Sequence, residues 1–211
     1  ISKGLVGSEM CIRDRFEELA QKKETLVLDV RTQQEFVKSH IPGALFIGLN
    51  GGFAPWVGAL ISDINQPILL VGPEGCSKEA ITRLARVGYD NSLGYLEGGM
   101  SAWIQAGKTT EQITSITAKE FEQRFNTKSI AVLDVRKDGE YNSAHLEGDH
   151  IEHLSLDSIH QKIQGIESQK TYHVYCGGGY RSVIATSILK ANGFSNCLLY
   201  TSDAADESRG V

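Results

Sequence analysis

One cysteine in this chain stands where it could do chemistry. The aromatic and apolar run Tyr172-His173-Val174-Tyr175 delivers Cys176 into Gly177-Gly178-Gly179-Tyr180-Arg181-Ser182, and Val183 to Leu189 continues with helical spacing. That pattern predicts a strand, a tight loop and a helix. Three glycines let a backbone curl until successive N–H groups point inward as an anion nest. The helix starting near Ser182 adds its positive end, which favours a thiolate at Cys176. Arg181 supplies a permanent cation suited to an anionic substrate. A merely structural, buried cysteine would account for Cys176 but not for the glycines and arginine beside it. The expectation is a nucleophile.

The elements that must position this loop occur twice. Val27-Leu28-Asp29-Val30-Arg31, with Glu35, His40 and Gly43, recurs 105 residues later as Val132-Leu133-Asp134-Val135-Arg136, with Glu140, His145 and Gly148. Ala80 and Gly88 keep the same offset to Ala185 and Gly193. Solenoid units repeat every 20–50 residues or so, and this much longer period implies two domains of one kind. In each copy short, continuous apolar runs (25–30 and 68–71, then 130–135 and 171–175) read as buried parallel strands. Helical patterns at 32–38 and 77–87 lie between them, giving an α/β fold with a parallel sheet flanked by helices in each domain. The polar stretch 106–114 marks the boundary, after which Thr117 and Glu120 form a capping box for a helix through Phe125.

Composition narrows the class. The chain has 211 residues, 41% hydrophobic and 22% charged, as expected of a globular protein of two domains. A net charge of −5 gives no basis for nucleic-acid binding, and no apolar run is long enough to cross a bilayer. Four cysteines without framework or zinc spacing point to a reducing cytoplasm, and residues 1–15 lack the apolar core of a signal peptide.

Both ends look foreign to the rest. The stretches 5–14 and 197–206 resemble translations of sequencing-library adapters. Residues 1–15 are therefore expected to be a non-native leader and 197–211 a non-native tail. The interpretable domains are then 16–107 and 115–196, the second truncated at its C-terminus, short of a strand and helix, with no counterpart of Leu96-Glu97-Gly98-Gly99-Met100 and the helix after it.

The paired L-D-V-R motifs, His40-Ile41-Pro42-Gly43-Ala44 and the Cys176–Ser182 loop resemble the rhodanese family of sulfurtransferases, whose active loop reads C-x-x-G-x-R-S. Gly179, Arg181 and Ser182 fall on that motif. The resemblance implies Cys176 and Arg181 as catalytic residues, and Gly177, Gly178, Gly179, Tyr180 and Ser182 as substrate-binding residues. Asp134 and Arg136 are expected to support the site by ion pairs that reach neighbouring loops and Glu140. It further implies a small sulfane-sulfur donor and a thiol acceptor, with no cofactor and no metal. The four histidines at 145, 150, 153 and 160 lack the spacing of a metal site. In the first domain the 105-residue offset places Val71 at the position of Cys176 and Cys76 at that of Arg181. Pro73 removes an N–H there and Glu74 repels anions, so this domain is expected to be inactive, although Cys76 at a helix start would be somewhat acidic.

The Gly51–Gly58 segment, expected to be a loop anchored by Trp56 and without a counterpart in the second domain, adds a resemblance to bacterial fusions. In these, a metallo-β-lactamase-like persulfide dioxygenase precedes two rhodanese domains. Two other classes remain. One is a non-catalytic docking or regulatory module of such a fusion. The other is a cysteine phosphatase or arsenate reductase, whose loops place five residues between cysteine and arginine where this chain has only Gly177 to Tyr180.

Overall fold

The computed structural model describes residues 13–127 and 130–200. The chain divides into two compact units, Ile1–Gln112 and Ile113–Val211, with the division inside the polar stretch 106–114. The first unit runs α1 (Arg13–Ala20), β1 (Leu26–Asp29), α2 (Gln33–Lys38), β2 (Leu45–Phe46), α3 (Phe53–Leu60), β3 (Ile68–Val71), α4 (Ser77–Arg86), β4 (Ser92–Tyr95) and α5 (Gly99–Gln105). Its sheet is parallel throughout, in the order β2-β1-β3-β4. The central strand β3 is buried along its whole length, which is why its sequence is uninterrupted Ile-Leu-Leu-Val rather than alternating. Thr32 caps α2: its Oγ1 accepts the Glu35 N–H while Glu35 accepts the Thr32 N–H. The capped turn sets Phe36 over His40, with ring centroids 4.1 Å apart.

Two expectations for this unit change. Residues 53–60 form a helix, α3, because Phe53, Val57 and Leu60 share one buried face. Trp56 is only half-buried and does not anchor the segment. The second unit has a topological counterpart in the turn Leu156–Ser158 and the helix Ile159–Lys162, which lie between the strands Ile151–His153 and Tyr172–Tyr175 as α3 lies between β2 and β3. Helix α1 includes Arg13 to Arg15, which fall in the stretch expected to be a leader.

The second unit runs β5 (Thr114–Ile116), α6 (Ala118–Asn126), β6 (Ala131–Asp134), α7 (Asp138–Ser143), β7 (Ile151–His153), the turn Leu156–Ser158, α8 (Ile159–Lys162), a second turn Ile163–Gly165, β8 (Tyr172–Tyr175), α9 (Tyr180–Ala191) and β9 (Cys197–Tyr200). The predicted Thr117–Glu120 capping box opens α6. The parallel sheet order is β5-β9-β8-β6-β7.

The strand expected to be missing from this unit is present. Cys197–Tyr200 lies between β8 and β5, with Val174 opposite Leu199 and Ile116 opposite Tyr200. Cys197 and Leu199 are buried, and Tyr200 stacks on Phe121 at 4.2 Å. Burying a leucine such as Leu199 contributes about 2 kcal/mol. An apolar strand with a free sheet edge to fill pairs there, and β9 occupies the position of β4. Residues 1–12 and 201–211, which hold the rest of the suspected foreign ends, lie outside the described residues.

Candidate active site

The strand β8 carries Cys176 to the end of the sheet. The loop after it closes on Gly179, whose φ of 77° is left-handed and which caps α9. Only this glycine of the three requires its freedom: a Cβ at Gly178 would meet nothing, and one at Gly177 only Arg181 Nη2 at 3.8 Å. α9 starts at Tyr180, two residues before the expected Ser182.

Cys176 is buried at the base of the loop. The Ser182 N–H donates to its Sγ at 3.3 Å. Its thiol is 3.6 Å from Ser182 Oγ, which in turn donates to the Gly179 carbonyl at 2.9 Å. Ser182 is therefore a brace: its backbone holds the sulfur and its hydroxyl ties the loop to the helix start. Gly177 and Gly178 are exposed at the rim. Tyr180 is half-buried at the first turn of α9.

Arg181 is half-buried and turned onto Glu140. Its two terminal nitrogens bind the two Glu140 carboxylate oxygens at 2.5 and 3.0 Å. Those hydrogen bonds hold the Glu140 carboxyl down at about 2. The partner expected for Glu140 is thereby corrected: it pairs with Arg181, and Arg136 serves Asp134.

Arg136 grips Asp134 with Nε at 3.0 Å and Nη2 at 2.6 Å, and also donates to the Ala144 carbonyl. A third partner was not read from the sequence. The Tyr175 hydroxyl donates to Asp134 at 2.6 Å, and the Arg136 guanidinium lies 5.4 Å from its ring centre. Burial pushes the Asp134 carboxyl up, but the hydrogen bonds from Arg136 and Tyr175 together hold it below its ordinary value. Burial and Asp134 push the Tyr175 hydroxyl up, so it stays a donor. The available signal was a tyrosine rather than an aliphatic residue immediately before the cysteine.

The histidines hold aromatic and backbone positions. Tyr141 is sandwiched between His145 and His153 at 4.0 and 4.1 Å, and His153 lies 2.9 Å from the Arg136 carbonyl. His150 packs on Phe125.

The corresponding loop of the first unit is built differently. Asp29 pairs with Val71 across β1 and β3, and Asp134 pairs with Tyr175 across β6 and β8. The residue after the strand is therefore Gly72 in one unit and Cys176 in the other, so the sequence offset that set Cys176 against Val71 is corrected by one. From the residue after the strand to the equivalent fully buried alanine the second unit spans one residue more, Cys176 to Ala185 against Gly72 to Ala80, although its helix starts one residue sooner after the strand. A Cβ at Gly72 would stand 2.3 Å from Cys76 Sγ, so the sulfur of Cys76 fills the space where a side chain at that position would lie. Cys76, Glu74 and Glu97 line a cavity of about 310 Å³. Burial pushes the Cys76 thiol up, with Glu79 and Asp29 adding to it, against the acidity expected of a helix start.

The Rhodanese-like domain model matches residues 13–106 and 117–203, and the chain belongs to that family. Its tandem α/β architecture is that of tandem rhodanese-like proteins. Among curated proteins it is 26% identical over 94 residues to a putative sulfur carrier protein, YrkF of Bacillus subtilis, covering 44% of this chain and 50% of that protein. It is 33% identical over 90 residues to the mitochondrial protein HIGH ARSENIC CONTENT 1 of Arabidopsis thaliana, covering 38% of this chain and 53% of the other. The chain thus matches about half the length of these relatives. Among solved structures, thiosulfate sulfurtransferase from Pseudomonas aeruginosa is similar at 21% identity, 90% of this chain, 39% of that chain and a TM-score of 0.39. The 3-mercaptopyruvate sulfotransferase SseA from Escherichia coli is similar at 16% identity, 90% of this chain, 96% of that chain and a TM-score of 0.39. Among the described residues no helix is long and apolar enough to cross a membrane.

Proposed function

We propose that this protein is a sulfurtransferase that carries sulfane sulfur on Cys176. The observation that carries this is the Ser182 N–H aimed at Cys176 Sγ from the first turn of a helix capped by left-handed Gly179. That arrangement supports a charged sulfur, as backbone donors support an oxyanion. The Cys176 thiolate attacks the outer sulfur of thiosulfate or of a thiol persulfide. A new S–S bond forms, the donor's S–S bond breaks, and sulfite or a thiolate leaves with the electron pair. A second thiolate then takes the outer sulfur and regenerates Cys176, giving ping-pong kinetics.

The participants are small molecules, and the free thiols at Cys76, Cys176 and Cys197 suit a reducing compartment such as the bacterial cytoplasm. A metallo-β-lactamase-like dioxygenase domain upstream would place the site in persulfide metabolism. The test is mass spectrometry of the protein after incubation with thiosulfate or glutathione persulfide. One added sulfur atom on Cys176, removed by a thiol acceptor, is the expected result. Absence of that adduct with both donors, or undiminished transfer by Cys176→Ser, would overturn the proposal.

A further inference from the structure

The loop's cation is already occupied. Both terminal nitrogens of Arg181 are bound by Glu140, and the two side chains are only 21% and 42% exposed. Arg181 Nη2 also lies within 3.8 Å of the place a Cβ would take on Gly177, so the pair sits at the rim of the loop that a donor must cross. Nearby, Arg136 is held by Asp134 at 2.6 Å, and the exposed Lys137 lies 3.8 Å from Asp157. A doubly charged donor approaching Cys176 therefore meets a neutralised arginine and a carboxylate, and must displace that carboxylate before it gains the arginine.

Glu140 is carried by α7, a six-residue helix with no buried side chain. In the first unit the equivalent Glu35 spends its carboxylate on the Thr32 cap, and the helix buries Phe36. Glu140 accepts its own cap N–H, that of Lys137, at only 3.4 Å. Its two close contacts are to Arg181, as a charge filter at the loop requires and a helix cap does not.

We infer that Glu140 is a specificity-determining positioning residue: by holding and neutralising Arg181 it disfavours dianionic donors such as thiosulfate and leaves the site to thiol persulfides of low charge. The inference rests on the proposed sulfur transfer through Cys176. The chemistry is the same for both donors, since a thiolate of charge −1 plus thiosulfate of charge −2 gives the Cys176 persulfide anion plus sulfite. With a persulfide R–S–SH the terminal sulfur and its proton move to Cys176 and R–S⁻ leaves. Only the charge brought to Arg181 differs.

The experiment compares the wild type, Glu140→Gln and Glu140→Asp with thiosulfate and with the persulfide of 2-mercaptoethanol, whose organic part is uncharged. In the wild type the persulfide is expected to have the higher kcat/KM by about tenfold or more. Glu140→Gln should lower KM for thiosulfate about tenfold with kcat nearly constant, while moving the persulfide KM less than about threefold. Glu140→Asp should restore the wild-type preference in part. Equal changes for both donors, whether gains or losses, would make Glu140 a simple anchor and overturn the inference, as would no change in either. Failure of every variant to form the Cys176 persulfide with both donors is a distinct result. It removes the sulfur-transfer proposal and this one with it.

Discussion

The two strand–loop–helix units of this chain start from the same supports and end differently. Both place an aspartate and arginine at the tip of the first long strand, with Arg31 and Arg136 gripping Asp29 and Asp134 through matching atoms. Both turn into the helix through a left-handed glycine, Gly75 with φ 82° and Gly179 with φ 77°. The difference is where the sulfur is attached. In the second unit it belongs to the residue following the strand and meets a backbone N–H. In the first it comes back from the helix start to fill the space over Gly72, among carboxylates and beside Pro73. The same family framework thus carries a thiol attached at two different residues, and the proposed transfer uses the one whose sulfur meets the Ser182 N–H.

The sharpest way to break that contrast is to remove each sulfur in turn. Cys176→Ser should lower sulfur transfer at least about a thousandfold, and Cys76→Ser should leave it within about twofold, read by release of sulfite or thiol product. Comparable losses in the two variants would make the units equals.

The next effect concerns the partner that only the second unit possesses. Tyr175→Phe leaves one buried Asp134 oxygen short of a donor and should cost about 1–3 kcal/mol of stability. Urea unfolding followed by tyrosine-independent circular dichroism checks this. A change of under about 0.3 kcal/mol would mean Arg136 alone suffices.

Gly179→Ala and Gly75→Ala should each destabilise by about 1 kcal/mol, because both force a Cβ into a left-handed position. Only Gly179→Ala should also impair transfer. Gly178→Ala, at an open rim position, should stay within about 0.5 kcal/mol of wild type.

The smallest expected effect is one of pH. His173 is buried beneath α6 with its Nε2 3.4 Å from Arg124 Nη1, and burial first, then Arg124, push its protonation down. The unfolded chain therefore takes up that proton before the folded one. Stability from this group is full above its ordinary value of 6.5 and falls as pH drops below it. Urea midpoints at pH 7.5 and 5.5 should differ less in His173→Phe than in wild type.

Much of this architecture was legible from patterns that tie residue type to backbone need. An uninterrupted aliphatic run marked β3, a short apolar run closed by Asp134 marked β6, Thr117 and Glu120 marked the start of α6, and the 105-residue repeat marked two domains. Boundaries shifted by a residue or two where capping decided them, as at Tyr180. What the sequence hid was three-dimensional pairing. Glu140 lies 41 positions from Arg181 and four from Arg136, and local spacing favoured the wrong partner. The one-residue difference between the loops needed strand register to reveal it. The segment 51–58 was obscured by glycines and a proline that α3 tolerates in its first turn and on its exposed side. At Cys197–Tyr200 a resemblance outweighed a plain apolar strand.

The position of β9 has a consequence for how the protein is made. β5, the first strand of the second unit, is held in the sheet by β9, from Thr114 opposite Leu198 to Ile116 opposite Tyr200. On a ribosome the four strands described for the first unit have all emerged once Tyr95 has. The second must keep β5 and α6 waiting, with the edge of β8 bare, through the synthesis of everything up to Tyr200. The unit carrying Cys176 is thus the later to close during translation.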